Sequence, residues 1–511
     1  AFSGFRYSRC MSHSSPVVAG RSDRLAACDD PVRWRILSVL LIAIFMSLIG
    51  VSIVNVALPS IQVALDASLS DIQWVLSGYA LTFGVVLVSA GRAGDLFGRG
   101  GIFLVGVVVF TLSSAAAGLA PSANWLNAAR LMQGVGSGLL SPQALGMIQQ
   151  YFHGEERGRA FGRLGTAVGV SVAIGPVLAG FLIKVAGVDL GWRLTFLINL
   201  PIGLLTLAMG LRWFPRPLFR RAAGAGGTVR GGWRSLDPVG ALLLGLAVLA
   251  VLYPFVEARD SLHIWLLLPA SALLLVMWVV WERRWARRGF SPMVDLGIFS
   301  TPSFANGTVI MTLYFLGMTS IWVLLALYVQ KGDGRSAFES GVFGIPASLL
   351  SAYAAHWAGK RVVRLGRRVV IGGLILAIVG LILCCLVIAL HEAGHVSVWW
   401  LVLSLSFVGM AQGSIISPNQ TLTLAEVPLA YAGSSGAIMQ TGQRIGTSVG
   451  IAVITAIVFS TLKVSSWAAA TITGFCAIIL VTLVALAFAF KDQRDRSRLR
   501  ATEAVPLDSA L

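Results

Sequence analysis

The chain has 511 residues, of which 56% are hydrophobic and 12% are charged, and its mean hydropathy is +0.82. Soluble proteins carry about 25% charged residues, so this composition excludes a water-soluble globular protein and predicts an integral membrane protein. Two of the five cysteines, Cys384 and Cys385, lie inside an apolar run, and the others show no regular spacing, which excludes a disulfide-stabilised scaffold.

Apolar runs long enough to cross about 30 Å of hydrocarbon recur along the whole chain. They predict an all-α protein with fourteen transmembrane helices. The segment 424–441 is compatible with either a loop or a helix lying on the membrane surface. In chain order, the predicted spans lie near residues 36–58, 73–92, 101–120, 125–147, 160–186, 193–213, 236–257, 262–281, 303–328, 338–358, 369–390, 397–423, 442–462 and 466–490.

Polar segments flank these spans. Residues 1–34 contain five arginines but no apolar stretch of the kind found in a cleavable signal peptide. We expect residues 1–10, which precede Met11, to be a leader or a misassigned start. The predicted organisation is an N-terminal cytoplasmic tail (1–34), a six-helix bundle (35–213), basic cytoplasmic loops with two inserted helices (214–302), a second six-helix bundle (303–490) and a mobile cytoplasmic C-terminal tail (491–511).

The basic residues indicate the orientation. The formal net charge is +17, and most of the 39 lysines and arginines fall in the two tails and in alternate loops. By the positive-inside rule, both termini are cytoplasmic and the protein is a multi-pass protein of the cytoplasmic membrane. The longest basic segments start at Arg216, Trp281 and Gly359. We expect them to set the topology and to contact anionic membrane lipids, not nucleic acid.

Three pairs of segments reveal an internal repeat. Gly91 precedes Gly98-Arg99 as Gly359 precedes Gly366-Arg367, GSGLLSPQ (136–143) resembles QGSIISPN (412–419), and RLGTAVGVSVAI (163–174) resembles RIGTSVGIAVIT (444–455). The pairs are collinear and nearly equally separated. The first six and last six spans therefore look like copies of one bundle, with two helices inserted between them. Secondary transporters use such repeats and bind substrate where the two halves meet.

Two polar motifs interrupt the first bundle. The loop GRAGDLFGRGG combines the turn glycines Gly91 and Gly98 with Asp95 and Arg99, a charge pair that could cap or latch a neighbouring helix. In the fourth span, Arg130 costs on the order of 2.5–3.5 kcal/mol unless it meets water or a partner. Two interpretations of Arg130 are open. Either it has a role in transport together with Gln133, which lies one helical turn further on, or its side chain extends to the outer headgroups.

The fifth span reads GTAVGVSVAIGPVLAG. Its glycines predict a thin helix face for close contact with another helix. Its proline removes a helix hydrogen bond and predicts a bend that could act as a hinge. The residues concerned are Gly165, Gly169, Gly175, Pro176 and Gly180.

These motifs together resemble the major facilitator superfamily, and the fourteen spans resemble its drug:proton antiporter family. The loop from Gly91 is similar to G-x-L-A-D-R-x-G-R, with Ala93 and Leu96 as departures, and the segment from Arg130 is similar to R-x-x-x-Q-G-x-G. The fifth span is similar to the antiporter motif of exporters. The resemblance implies a transporter without enzymatic activity or cofactor, which expels amphipathic drugs, antibiotics and lipophilic cations in exchange for protons by alternating access.

The resemblance also implies a proton-coupling role for Arg130, and here the chain departs from the family. The family pattern L-D-x-T-I-V-N-V-A-L-P has an Asp where this chain has Gly50, so Arg130 lacks its expected counter-ion. We expect proton coupling to be weakened or to use a different arrangement of residues. Candidate residues of the substrate cavity are Gly50, Asn55, Trp74, Tyr79, Gln440 and Arg444.

Other functions stay open. A facilitator, or a lipid or metabolite exporter of the same fold without proton coupling, would fit the missing carboxylate. A membrane sensor that transports nothing is a further alternative. His391-Glu392-x-x-His395 matches the zinc-protease pattern, but it falls in a short outer connector without a clear third ligand. We therefore expect no metal site.

Overall fold

The computed structural model describes residues 32–219, 237–257, 262–290, 292–335 and 337–503. Predictions for most of the N-terminal tail, for the basic segment 220–236 and for residues 504–511 lie outside these ranges. Within them the chain is helical and contains no β-strand, which confirms the all-α prediction.

Fifteen α-helices make up the described chain. The first six are α1 (Val32–Ala64), α2 (Leu69–Phe97), α3 (Arg99–Gly118), α4 (Ala123–Tyr151), α5 (Gly154–Leu197) and α6 (Asn199–Trp213), and two more, α7 (Pro238–Glu257) and α8 (Leu267–Arg287), follow. The remainder are α9 (Pro302–Met318), α10 (Ser320–Leu327), α11 (Ala337–Leu365), α12 (Arg368–Glu392), α13 (Leu401–Thr423), α14 (Ala432–Leu462) and α15 (Trp467–Glu503).

Eleven helical segments of the described chain are long and apolar enough to cross a membrane. One of them, Gly154–Trp213, contains two predicted spans, and another, Pro302–Gly332, joins α9 and α10 into one span. The helices α4 and α11 correspond to predicted spans as well, although they fall outside this apolar set. Each of the fourteen predicted spans therefore coincides with a helix.

The helices pack as two halves. In the first half α1 packs on α5, and α4 packs on both α2 and α3. In the second half α13 packs on both α11 and α12, and α9 packs on α14. The inserted helices α7 and α8 pair with each other, and α7 also contacts α2 and α14. The halves meet where α5 contacts α11 and where α2 contacts α14. Because α2 is repeat-related to α11 and α5 to α14, the two contacts are equivalent, as expected for pseudo-symmetric bundles.

Glycines let the two halves approach closely. A Cβ atom at Gly359 would lie 2.6 Å from the Gly158 carbonyl oxygen and 2.6 Å from the Gly162 Cα. A Cβ atom at Gly91 would lie 2.6 Å from the carbonyl oxygen of Gly433. No side chain fits at such distances, so both contacts between the halves depend on glycine, as is common where helices pack in membranes.

The helices are longer than predicted at several ends. α8 runs to Arg287 and α11 to Leu365, so the basic segments that begin at Trp281 and Gly359 are partly helical. The helix α1 begins at Val32, inside the predicted tail, and Arg33 is buried against Glu156 with an Nη1–Oε2 distance of 2.7 Å. At α1 the ion pair with Glu156 holds Arg33 inside the helix, a contact that hydropathy does not register.

Two further predictions are settled. A short 3-10 turn, Leu429–Tyr431, precedes α14, so most of the open segment 424–441 is neither a loop nor a surface helix but the first turns of a spanning helix. The tail predicted from Lys491 is helical as far as Glu503, because α15 continues to that residue, and Asp492 within it is fully buried.

Candidate functional site

Asp95 joins the two halves at the end of α2. Its Oδ1 accepts hydrogen bonds from Arg99 Nε (3.0 Å) and Nη2 (2.8 Å) and from the Gly433 amide (2.9 Å). Its Oδ2 accepts hydrogen bonds from the amide (2.9 Å) and the hydroxyl (2.8 Å) of Ser434. A carboxylate in this place satisfies free amides in the first turn of α14 and interacts favourably with the helix dipole. We call Asp95, Arg99, Gly433 and Ser434 the Asp95 contact.

Arg99 extends the Asp95 contact. Its Nη1 donates to Gln150 Oε1 at 2.9 Å, and its Nη2 also donates to the Leu429 carbonyl of the other half. Gly98 separates α2 from α3 with a φ of 107°, a conformation that favours glycine. The four predicted motif residues Gly91, Asp95, Gly98 and Arg99 therefore lie together at one end of the interface between the halves.

The repeat-related loop of the second half makes different contacts. Arg367 corresponds to Arg99, but Val363 stands where Asp95 would be. Arg367 instead donates to Asp492 of α15 at 2.5 Å and to Asn419 of α13. Both charged side chains are at most 1% exposed. The acidic partner thus comes from the helix predicted as a tail, and it binds elements within the second half only.

Arg130 lies inside the first half and is 1% exposed, so it does not extend to the headgroups. Its Nε donates to the Val75 carbonyl at 2.7 Å, and its Nη1 donates to Gln133 Oε1 at 2.5 Å. Gln133 Nε2 in turn donates to Ser114 Oγ at 2.6 Å, and Asn199 Nδ2 donates to the same oxygen at 3.4 Å. Arg130 and Gln133 are therefore the centre of a buried polar network.

Tyr79 forms the second part of this network. The guanidinium carbon of Arg130 lies 4.5 Å from the centre of the Tyr79 ring. The Tyr79 hydroxyl is 2.7 Å from Ser137 Oγ and 3.2 Å from Ser47 Oγ. The sequence motifs do not point to Ser47, Ser114, Ser137 or Asn199. The signal was available in principle, since hydroxyl and amide side chains in apolar runs need partners.

Gly50 borders the same network. A Cβ atom there would lie 3.5 Å from Phe110 Cζ and 3.7 Å from Asn199 Nδ2, which are ordinary contact distances. The position expected to hold an acid is thus beside the network, but it carries no side chain. In the described part of the chain, no carboxylate forms a hydrogen bond or ion pair with Arg130.

Two buried acids belong to the inserted helices. Asp237 Oδ1 accepts hydrogen bonds from the Gly240 amide (3.0 Å) and from Trp281 Nε1 (2.8 Å). Glu282 Oε2 accepts a hydrogen bond from the Met293 amide at 3.1 Å. These contacts fix the start of α7 to α8 and anchor the chain that follows α8. Asp237 falls at the edge of the predicted span 236–257 and Glu282 in the basic segment from Trp281, and neither is predicted as buried.

The glycine-rich fifth span packs against both halves. Cβ atoms at Gly165 and Gly169 would lie 2.8 Å and 3.1 Å from the Cβ atoms of Ala355 and Ala352 on α11, and one at Gly175 would lie 2.5 Å from Ser52 Oγ. A Cβ atom at Gly180 would meet no described atom within 4 Å. The backbone is helical through Pro176, and the non-helical residue lies further on at Gly187, with a φ of 80°.

A cavity of about 410 Å³ lies between the halves. Asn55 lies in the C-terminal part of α1, so the cavity is at the end of the interface opposite the Asp95 contact. Asn55 supplies the first-half wall. The second-half wall comes from α10 and the residues after it: Trp322, Val323, Ala326, Leu327, Gln330 and Lys331.

The other predicted cavity residues lie elsewhere. Trp74 packs against Tyr253 of α7, with ring centres 6.3 Å apart. Gln440 is buried within α14. The Arg444 guanidinium stacks on the Phe83 ring of the opposite half at 4.2 Å, so it bridges the halves. The prediction that Arg444 and Arg163 lie at helix ends is wrong, because both are inside their helices, α14 and α5.

The HEAGH segment ends α12. His391 Nδ1 is 2.9 Å from the Val396 carbonyl oxygen, and its Nε2 is 2.9 Å from Asp333 Oδ1, so both ring nitrogens are engaged. Burial raises the pKa of Asp333, but hydrogen bonds from His391 and Arg335 outweigh it and hold the pKa below its usual value. No group of three or more metal-ligating residues occurs among the residues described.

Two repeated helical halves, embedded in lipid and sealed at one end with a cavity towards the other, define the class of secondary membrane transporters. The chain belongs to the Major Facilitator Superfamily, whose sequence profile matches residues 40–451 and 367–510.

Named relatives are transporters and resistance proteins. The chain is 33% identical over 452 residues to the probable actinorhodin transporter of Streptomyces coelicolor, covering 86% of this chain and 75% of the relative. It is 32% identical to the puromycin resistance protein of Streptomyces alboniger, covering 86% and 85%. The human organic anion transporter MFSD10 (TETRAN) superposes with a TM-score of 0.65 over 90% of this chain and all of that chain, at 14% identity, a likeness of fold alone.

Proposed function

We propose that the protein exports amphipathic small molecules across the cytoplasmic membrane by alternating access between its two halves. The observation that carries this proposal is the asymmetry of the interface between the halves. It is closed at the Asp95 contact, while a cavity lies between Asn55 and Lys331 towards the other end. The relatives named as antibiotic transporters and resistance proteins support export as the direction.

The basic residues orient this arrangement. With both termini cytoplasmic, the Asp95 contact faces the cytoplasm and the cavity faces outwards. The described conformation is then the one that releases substrate. To load substrate, the bonds from Asp95 to Gly433 and Ser434 break, and the glycine contacts between α2 and α14 and between α5 and α11 separate. The glycines of α5 that face α11, Gly165 and Gly169, would serve as the surface along which the halves move, and Pro176 as the bend of that helix.

We further propose that export is exchanged for protons. The family resemblance favours this coupling, and the buried network around Arg130 and Gln133 is the natural place for a charge to respond to it. The rival is an uncoupled facilitator, or an exporter of lipids or metabolites. One observation favours the rival: in the described chain no carboxylate contacts Arg130, and Gly50 leaves the usual acidic position empty.

Efflux measurements test the proposal. Expression in a host without its own pumps should lower the accumulation of a lipophilic dye, and a protonophore should abolish the effect if protons drive export. Export that resists the protonophore would single out the facilitator. An unchanged dye level across a broad panel, with the protein present in the membrane, would refute the proposed export function.

A further inference from the structure

Two arginines from different halves face each other across a pair of aromatic rings. Arg130 lies 4.5 Å above the Tyr79 ring, and Arg444 lies 4.2 Å from the Phe83 ring. The two rings are stacked one helical turn apart on α2, with their centres separated by 6.0 Å. The order Arg130, Tyr79, Phe83, Arg444 therefore runs from inside the first half to α14 of the second.

Neither arginine is neutralised by an acid of the described chain. Arg130 donates hydrogen bonds to the Val75 carbonyl and to Gln133, and Arg444 contacts the Phe83 ring, and no carboxylate of the described chain forms an ion pair with either arginine. The buried acids Asp95 and Asp237 have other partners: Asp95 binds Arg99 and α14, and Asp237 binds Trp281. Two positive charges inside a membrane protein without counter-ions are costly, unless a ligand supplies the negative charge.

Hydrogen-bond donors also remain free for such a ligand. Arg130 Nη2 is completely buried and has no partner among the described residues. Arg444 is half-buried, and its guanidinium contacts the apolar face of Phe83. A guanidinium offers a planar fork of donors that fits carboxylates, sulfonates and phosphates. Arg444 is therefore placed to contact a ligand, and Arg130 to add a second charge from behind Tyr79.

The cavity has the same electrostatic character. Lys331 lines it, and none of its other lining residues in the described chain is charged. α14 contacts the start of α10, the helix that lines the cavity: the hydroxyl of Thr447, three residues after Arg444, is 3.4 Å from the Thr319 hydroxyl. Trp322 adds an aromatic surface suited to a flat apolar body. Lys331 in the cavity and Arg444 beside Phe83 are thus both cations at the interface between the halves.

We infer that Arg130 and Arg444 form an anion-binding site between the halves, and that the substrates are aromatic molecules bearing a carboxylate, a sulfonate or an ionised phenol. This inference rests on the proposed export function and specifies its substrate class. It reverses the preference for lipophilic cations that the family resemblance implies. Cations gain nothing at this site, since two like charges and a lysine repel them.

Matched probes test the inference. 8-Anilinonaphthalene-1-sulfonate and N-phenyl-1-naphthylamine share one aromatic skeleton and differ by the sulfonate, and ethidium supplies a cation. Transport is measured in everted vesicles, and binding is measured with purified protein. The wild type should prefer the sulfonate to the neutral amine and should handle ethidium poorly.

Variants at Arg444 give the sharper result. Arg444→Gln should weaken handling of the sulfonate about tenfold, the loss of one charged hydrogen bond. Handling of the neutral amine should stay within about twofold, which also shows that the variant is folded. Arg444→Lys should retain part of the preference, and Arg444→Glu should shift it towards ethidium. Arg163→Gln is the matched control, because this repeat-related arginine stacks on Trp34 at 4.1 Å, away from the paired rings.

Two results would overturn the inference while leaving the export function intact. One is a wild type that exports ethidium and the neutral amine but not the sulfonate. The other is an equal loss of both naphthyl probes in Arg444→Gln. If no probe is exported at all, the export function fails. In that case equal binding of the sulfonate by the wild type and by Arg444→Gln refutes the anion site separately.

Discussion

Replacing Asp95 by asparagine should release the closed end of the transporter. The carboxylate accepts two amides and one hydroxyl from Gly433 and Ser434, and its side chain is 1% exposed. An asparagine there would have no charge and would present an NH₂ group to donors that need an acceptor. Hydrogen bonds to charged groups contribute about 1.5–3 kcal/mol each and are not additive, so we estimate a loss of about 3 kcal/mol, or roughly 100-fold in the open-to-closed ratio.

Thiol labelling measures this ratio. Ala352 is buried where the halves meet, and its carbonyl accepts a hydrogen bond from the Thr166 hydroxyl at 3.1 Å. In a cysteine-free background, Ala352→Cys should react slowly when Asp95 is present, and up to about 100-fold faster with Asp95→Asn, because the rate follows the open population.

The chain offers a matched control on the same helix. Asp71, at the opposite end of α2, contacts Ser68 in the capping box of that helix. Asp71→Asn should therefore leave the labelling rate unchanged. Equal labelling rates with and without the Asp95→Asn substitution would refute the reasoning, since the Asp95 contact would then contribute nothing to closure.

Three other predictions concern stability. Asp492→Asn, which leaves a buried arginine without its charge partner, should destabilise the protein by about 3–5 kcal/mol in thermal unfolding, whereas Glu155→Gln, in an exposed pair, should change it little. Gly450→Ala should lower Tm and yield, because the new Cβ would overlap the backbone carbonyl oxygen of Leu316. Gly372→Ala is the control, because a Cβ there meets open space and should leave Tm unchanged. Equal effects of the two substitutions would contradict the described packing. The pKa of Asp333 is lowered in the folded protein, so its carboxylate stabilises the fold at pH values above the ordinary Asp pKa of about 3.9, and this stabilisation is lost as the pH falls through the lower folded pKa. Asp333→Asn should therefore remove part of the decrease in Tm on acidification. A pH dependence of Tm that is the same in the variant and the wild type would contradict this prediction.

Hydropathy and internal repeats were sufficient to predict the helical architecture. Apolar runs set where helices cross lipid, and the three repeated segments identified α2, α4 and α5 as counterparts of α11, α13 and α14. Helix ends were less predictable. Asp492 extends α15 because Arg367, 125 residues earlier, neutralises it inside the protein, and no local pattern reveals such a partner.

The candidate site was predicted in part. Motif spacing placed Asp95 beside Arg99, and it placed Arg130 beside Gln133, because both pairs lie within one helical turn or a short loop. It could not place Arg444 against Phe83, nor Asn199 beside Ser114, since those contacts depend on how separate helices rotate and pack. Trp74 was assigned to the cavity, yet it packs against Tyr253 of an inserted helix, a contact the resemblance did not suggest.

The central claim is that the two halves open one end while closing the other. Spin labels at Arg159 and Arg361 would report the end near the glycine contact of α5 with α11, and labels at Gln62 and Lys331 would report the cavity end. When a transported aromatic anion and a proton gradient are applied in proteoliposomes, our account predicts a population in which the first distance lengthens and the second shortens. Two distances that stay fixed, or that lengthen together, would contradict it.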